Sequence, residues 1–424
     1  MISDASAGGG AGWFEHFGLM TVGPIDGHDF DTLIEFLTEA KHTDHPMVLH
    51  VKTIKGKGFA PSENDASRLH SPGPFQYDPD SCRVQIKSEG RSFTTAFADA
   101  LHGLMTKDAK AVACTAAMPD GTGLNKILPA FPDRAWDVGI CESHALDMMA
   151  GLAKTGFKPF LAVYCTFLQR AFDQAFQEAA LQNLPVRLCL DRAGLVGGDG
   201  AVHHGFCDVA LLRTLPNAVI TAAIDEPSLR AALEFMRGYD TGLSAVRYPR
   251  DVVSDLLTSR GLACPPYELG KAVNLTPAIE QPAAAVLAFG TLAIDALRAA
   301  DRINAVPGGP RVAVYDARFA KPVDRALIAS LLERRIRIVT IEDHSIVGGF
   351  GSAVLEAAQE LGVDGSLVTR LGLPDRWVYQ DSRSKQLAEV GLDEASLHAA
   401  FLKAAGSSAP TPEPKVALRA AAVR

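Results

Sequence analysis

Glu142 stands where a carboxylate could do acid–base work. It closes DVGIC (137–141), which reads as a strand, and opens SHALDMMAGLAKTG, a Gly/Ala-rich helix. A second apolar strand, KPFLAVY, then ends in a polar and aromatic turn carrying Tyr164, Phe167 and Arg170. Two successive strand ends deliver the carboxylate and the aromatic–basic group to one sheet edge, the place where open α/β sheets bind ligands. A carboxylate there is either a general acid or base or an acidic cap on its helix, and the residues alone leave both readings open. A Phe in such a turn is core material as readily as a platform for a flat ligand.

The elements that must hold these residues are those of a multidomain α/β protein. A chain of 424 residues and 45.0 kDa exceeds one ordinary core, so two or three domains are expected. Hydrophobic residues at 47% and charged residues at 21% give a globular balance. A net charge of −8 with no polybasic run argues against a nucleic-acid partner. The 7 cysteines are odd in number and contain no CxxC pair, which fits free thiols in a reducing compartment. The start MISDASAGGGAGW has neither a basic n-region nor an apolar h-region, and no apolar run reaches the roughly 18 residues of a membrane span. A soluble, cytoplasmic protein with no membrane association is expected.

Along the chain, residues 1–12 form a Gly/Ala leader expected to be disordered, and residues 13–60 read as a single strand–helix–strand unit ending in the basic glycine loop with Lys55 and Lys57. A lone unit of this kind has no neighbours to cover its faces, so it reads as the remnant of a larger α/β domain. Residues 61–91, rich in Pro, Ser and Asp, read as a linker. Two blocks of apolar strands alternating with helices follow, at 92–255 and 267–405, each predicting a parallel sheet covered on both faces. The Pro/Ser/Ala-rich tail 406–424 is expected to be disordered.

Ordered motifs run through most of the chain: GPIDGHD, KGKG, FPDRAWDVGICESHA, YCTFLQRAFDQ, DRAGLVGGDGAVHHG, SAVRYPR, FGTL, KPVD, EDHSIVGGFGS and GLPD. On these, from Phe14 to about Leu402, the sequence resembles the 1-deoxy-D-xylulose-5-phosphate synthases, thiamine-diphosphate enzymes related to transketolase and to the β subunits of 2-oxo-acid dehydrogenases. The resemblance implies an α/β fold with a parallel-sheet pyrimidine-binding domain and a transketolase C-terminal-like domain, preceded here by a remnant of the diphosphate-binding domain. It implies condensation of pyruvate with glyceraldehyde 3-phosphate, thiamine diphosphate with Mg²⁺ as cofactors, and a homodimer or a partner chain carrying the diphosphate-binding domain.

The resemblance also assigns residues. Glu142 would hydrogen-bond the aminopyrimidine and relay its proton; Phe167 would stack on it, with Arg170 and Met118 beside the cofactor. Arg192, Arg247 and Tyr164 would take the acceptor's phosphate, a dianion suited to guanidinium forks. His203, Asp199 and His28 would position substrate oxygens and move protons. His203 with His204 could suggest a metal, but no third ligand stands at a diagnostic spacing, so no protein-held metal is expected. His344 is expected to be a satisfied loop histidine or to approach the site.

Three positions depart from the family pattern: Ser143 in ESHA, Cys165 where Ser is common, and AAMPDGTG at 116–123. The family's GDG element with its distant Asn, which holds Mg²⁺, does not occur before His28. The Mg²⁺ ligands are therefore expected in a missing N-terminal domain, and this chain alone is expected to be inactive. Alternatives are another transketolase-like or dehydrogenase β-type subunit, and a catalytically dead partner protein.

Overall fold

The computed structural model describes residues 11–65, 69, 75–86 and 90–406; the tail from 407 and the leader up to residue 10 lie outside these. The chain divides into two compact units, Met1–Ser88 and Glu89–Arg424.

The first unit contains the strand–helix–strand element that the apolar spacing predicts. Strands β1 (Met20–Asp26) and β2 (Met47–Lys52) pair in parallel around helix Phe30–His42, which Asp29 caps through Thr32 N. A helix at Ala11–Glu15 begins within the stretch read as a leader. That helix 30–42 has no buried residue, and Phe30, Ile34 and Leu37 are exposed, so the unit does not cover its own apolar face. The stretch read as linker holds a hairpin of β3 (Phe75–Asp78) and β4 (Arg83–Ile86), its turn fixed by Asp78 accepting from Asp80 N and Ser81 Oγ. Strands this short sit below the length at which alternation is readable.

In the second unit a seven-stranded sheet is built from β5 (Ala111–Thr115), β6 (Ala135–Asp137), β7 (Lys158–Tyr164), β8 (Arg187–Asp191), β9 (Val219–Ala222) and β10 (Ser244–Arg247). A five-stranded sheet contains β11 (Val273–Asn274), β12 (Ala284–Phe289), β13 (Val312–Asp316), β15 (Arg337–Ser345) and β16 (Val368–Leu373). The strand between, β14 (Phe319–Lys321), leaves the second block and pairs antiparallel with β9, completing the order β14-β9-β10-β8-β7-β5-β6. Apart from β14 and β11, every pairing in the two sheets is parallel. Strands β5, β8, β9, β10 and β12 are buried along their whole length, as continuous apolar runs in two-sided sheets require.

The two sheets share a charged seam. Arg247, at the end of β10, is 3% exposed and donates to both carboxylate oxygens of Asp208 and to the carbonyls of Gly205 and Asp343. Beside it Glu342 accepts from Phe350 N (2.6 Å) and Gly351 N (2.8 Å), and His344 Nδ1 lies 2.8 Å from Ser345 O and 3.6 Å from Glu342 Oε2.

Burial gives these two neighbours opposite proton affinities: it pushes the Glu342 carboxyl up to about 7 and the His344 imidazole down to about 4. Between roughly pH 4.5 and 7 the folded chain keeps a proton on Glu342 that the unfolded chain releases, so this contribution to stability declines as pH rises. Between roughly pH 4 and 6.5 the unfolded chain holds a proton on His344 that the folded chain excludes, so that contribution grows with pH. The two slopes oppose each other. His344→Asn leaves only the declining one, so its stability relative to the parent should fall by roughly 2–3 kcal/mol from about pH 4.5 to 6.5. Urea denaturation at each pH checks this; a constant offset between the two proteins would refute it.

Candidate active site

Five strands of the seven-stranded sheet end along one edge, and the chain after each end carries a candidate residue. Strand β5 runs into Met118, β6 toward Glu142, β7 into the 3₁₀ helix Cys165–Ala171, β8 into Arg192, and β10 into the turn at Tyr248–Arg250. All five are parallel, so all present carboxyl ends there.

Glu142 occupies the first turn of helix Glu142–Lys154 and is 4% exposed. Its Oε1 accepts from Arg170 Nη1 at 3.0 Å, and Oε2 has no hydrogen-bond partner among the described residues. No N–H of its own helix bonds to it, so the carboxylate is not serving as a cap. Ser143 Oγ donates to Arg170 O at 2.7 Å and fixes the turn from which Arg170 projects.

Aromatic rings and cations alternate from there. The Arg170 guanidinium lies 5.0 Å over Phe167; Phe167 stacks on Tyr164 at 5.7 Å and 17°; Arg192 lies 4.1 Å from the Tyr164 ring centre. On its other side Phe167 meets His203 edge-on at 5.7 Å and 77°. His203 Nδ1 is 3.1 Å from Asp199 O, and the Asp199 carboxylate pairs with Arg250. The structure thus brings together Glu142, Arg170, Phe167, Tyr164, Arg192, His203 and Asp199. Burial pushes the Tyr164 phenol up, which keeps it protonated at the site's rim.

Backbone strain marks two of these strand ends. Ala117 has φ 59° and Arg192 φ 63°, both in the left-handed region that disfavours side chains. Asp137 Oδ1 holds the first, accepting from Ala117 N at 2.7 Å, and Asp191 Oδ1 the second, accepting from Arg192 N at 2.7 Å. Arg192 Nη1 also donates to Asp191 Oδ1 (2.7 Å) and Gly121 O (2.5 Å), while its buried Nε has no partner. Gly121 has to lack a Cβ, which would collide with the Tyr164 hydroxyl. Met118, expected beside a cofactor, is buried and packs in the apolar core under this edge.

Arg247 stands at the junction of the two sheets. Assigned with the phosphate ligands by its motif, it ends β10 in the seam between the sheets, 3% exposed and paired with Asp208. Its last-strand position explains this: β10 is central, so its final side chain is covered on both faces. Arg250, three residues on and beyond the strand, is the half-exposed arginine of SAVRYPR and bears on the site through Asp199. The signal available in the sequence was Pro249, which ends the strand's pairing before Arg250.

His28 lies in the first unit, where its Nε2 accepts from Ile54 N at 2.7 Å and Asp26 accepts from His28 N at 2.9 Å. His204 faces away from His203, with Nε2 3.1 Å from Val378 O and Nδ1 accepting from Val196 N. His344 is satisfied in the seam. Cys165 is fully buried, its thiol pushed well up by desolvation. Among the described residues no group of three or more His, Cys, Asp or Glu is placed to hold a metal ion, and no helix is long and apolar enough to cross a membrane.

Comparison with known proteins agrees with this layout. Residues 5–53 match the family model "1-deoxy-D-xylulose-5-phosphate synthase", residues 89–254 "Transketolase, pyrimidine binding domain", and residues 276–397 "Transketolase, C-terminal domain". The chain is 42% identical over 386 residues to a 1-deoxy-D-xylulose-5-phosphate synthase 1 of Geobacter metallireducens, covering 91% of this chain and 60% of that protein. It is 44% identical over 382 residues to synthase 2 of Geobacter sulfurreducens, and 41% over 387 residues to the synthase of Geobacillus thermodenitrificans, covering 59% and 60% of them. It thus spans about 60% of the length of these relatives. A solved structure titled "Split gene transketolase, inactive beta4 tetramer" superposes with a TM-score of 0.63 at 28% identity, over 75% of this chain and 99% of that one.

Arg247→Ala separates the two roles considered for that residue. It leaves Asp208, 1% exposed, as an unpaired buried charge, so a loss of about 3–5 kcal/mol in stability is expected by urea denaturation. Unchanged stability with weakened phosphate binding would return Arg247 to the anion site.

Proposed function

Because this chain belongs to the 1-deoxy-D-xylulose-5-phosphate synthase family, we propose that its seven-stranded domain holds the aminopyrimidine of thiamine diphosphate, and that the chain takes part in the decarboxylative condensation of pyruvate with glyceraldehyde 3-phosphate. The observation that carries this reading is Glu142: nearly buried, anchored through one oxygen to an arginine lying over Phe167, and open at the other oxygen.

The residues present fit the pyrimidine half of the cofactor. Thiamine diphosphate, when bound, supplies the carbon at which a 2-oxo acid loses CO₂ and a two-carbon unit is passed on. Glu142 Oε2 is the atom that holds and returns the ring proton, and Arg170 keeps Oε1 from rotating away. Phe167 offers its ring as the flat apolar support, and Tyr164 excludes water beside it. His203 and Asp199 orient the acceptor's oxygens, with His28 assigned to the same task from the family motif. Arg250, half exposed and paired with Asp199, takes the acceptor's phosphate together with Arg192, whose Nε lacks a partner among the described residues.

Among the described residues no group of three or more His, Cys, Asp or Glu is placed to hold a metal ion. We assign the diphosphate and Mg²⁺ half to the part of the relatives that lies outside the 60% spanned here. The structural neighbour, a split-gene product inactive as a β4 tetramer, supports the partner arrangement, in which this chain alone is inactive.

Two variants test the reading in a turnover assay that supplies pyruvate, glyceraldehyde 3-phosphate, cofactor and a diphosphate-binding domain from a relative. Glu142→Gln should lower turnover by ~10²–10⁴ without loss of stability; turnover within twofold of the parent would sink the assignment. Arg250→Ala should raise KM for the phosphorylated acceptor by roughly tenfold or more while KM for pyruvate holds, consistent with about 1.5–3 kcal/mol for a hydrogen bond to a charged group. Equal effects on both substrates would contradict it.

A further inference from the structure

The loop bearing Asp199 and His203 belongs to the seven-stranded domain, yet its conformation is fixed from the other one. Gln386, on helix Arg383–Glu389, is 0% exposed. Its Oε1 accepts from Gly197 N at 3.0 Å, and its Nε2 donates to Gly197 O at 3.3 Å and Tyr379 O at 2.9 Å. The side-chain amide therefore pairs with both polar atoms of one peptide unit's residue, as a neighbouring strand would. Gln380 Nε2 donates to Gly198 O at 2.6 Å. Leu195 is held at both ends: its O accepts from Arg383 Nε at 3.0 Å, and its N donates to Asp343 Oδ1 at 3.0 Å. Asp343 approaches this closely because Gly194, at φ 73°, carries no Cβ; one built there would collide with the carboxylate.

The same helix grips the second half of the site. Arg383 Nη1 donates to Asp251 Oδ2 at 3.0 Å, one residue beyond Arg250, and its Nη2 to Asp343 Oδ2 at 2.7 Å. Asp199 and Arg250 pair with each other across the gap between these two held segments. One short helix thus sets the positions of both partners without touching either.

We propose that Gln386 and Arg383 are positioning residues, through which the C-terminal domain fixes the spacing of Asp199, His203 and Arg250 and so sets affinity for the anionic end of the substrate. The affinity part rests on the reading of Arg250 as a phosphate ligand. The positional part rests on the hydrogen bonds alone. Loops joined to rigid elements by several buried bonds open only when those bonds break, so removing one should appear as local exchange.

The test has two arms on the full chain. In hydrogen–deuterium exchange, Gln386→Leu, which keeps volume and removes all three bonds, should lower protection of the 194–204 segment at least tenfold and leave β8 unchanged. Gln380→Ala, exposed and less disruptive, should lower it by a smaller factor confined to the same segment. In calorimetry with inorganic phosphate, Gln386→Leu should weaken binding severalfold in the parent and have no further effect in Arg250→Ala, because both act on one spacing. Unchanged exchange in both variants overturns the inference, and so does an additive loss in the double variant. Absence of phosphate binding by the parent itself overturns the reading of Arg250, and the exchange arm then decides the positional claim.

Discussion

A guanidinium can be buried only where its donors are met, because an unpaired charge in a low-dielectric interior costs several kcal/mol. Arg247 meets that condition with partners from two places: Asp208 and Gly205 in its own domain, and the Asp343 carbonyl in the next. The arrangement works only if β15 ends against β10, so the charge fixes the approach of the two sheets. Breaking the approach would cost Arg247 the Asp343 carbonyl while leaving it paired with Asp208 and Gly205.

The candidate site depends on that approach. Its floor comes from the seven-stranded sheet, where the strained turns at Ala117 and Arg192 are held by carboxylates that end β6 and β8. Its wall comes from the loop 194–204, whose backbone partners lie largely in residues 343–386. Between them, rings and cations alternate from Arg170 to Arg192, so that each charge has an aromatic face as well as a hydrogen bond. Such a site is not apolar, and among the described residues the buried Arg192 Nε is left without a partner.

Much of this was readable from residue order. Continuous apolar runs such as AVACT and RLCLD announce two-sided parallel strands, and parallel strands must end together, so Glu142, Phe167 and Arg192 had to share an edge. What periodicity cannot carry is the distinction between two arginines three residues apart. Arg247 and Arg250 differ in exposure because one ends a strand flanked by β8 and β9 and the other follows Pro249. Gln386 was illegible for a different reason: its loop partner Gly197 lies 189 positions away, and an amide in a polar helix gives no local sign of burial. The hairpin at 75–86 escaped because strands of four residues show too few alternations to count.

Strand β14 bears on how such a protein can be divided. Three residues from the C-terminal half, Phe319–Lys321, close the open side of β9, and Lys321 donates from Nζ to the Arg213 and Leu215 carbonyls beneath it. A boundary drawn through the Pro-rich stretch near Pro265 would leave the sheet with a bare, otherwise buried edge at β9, the kind that invites pairing with other chains. The two domains are therefore modules by fold but not by folding: neither can be exchanged among relatives, nor made separately, without carrying this borrowed strand along.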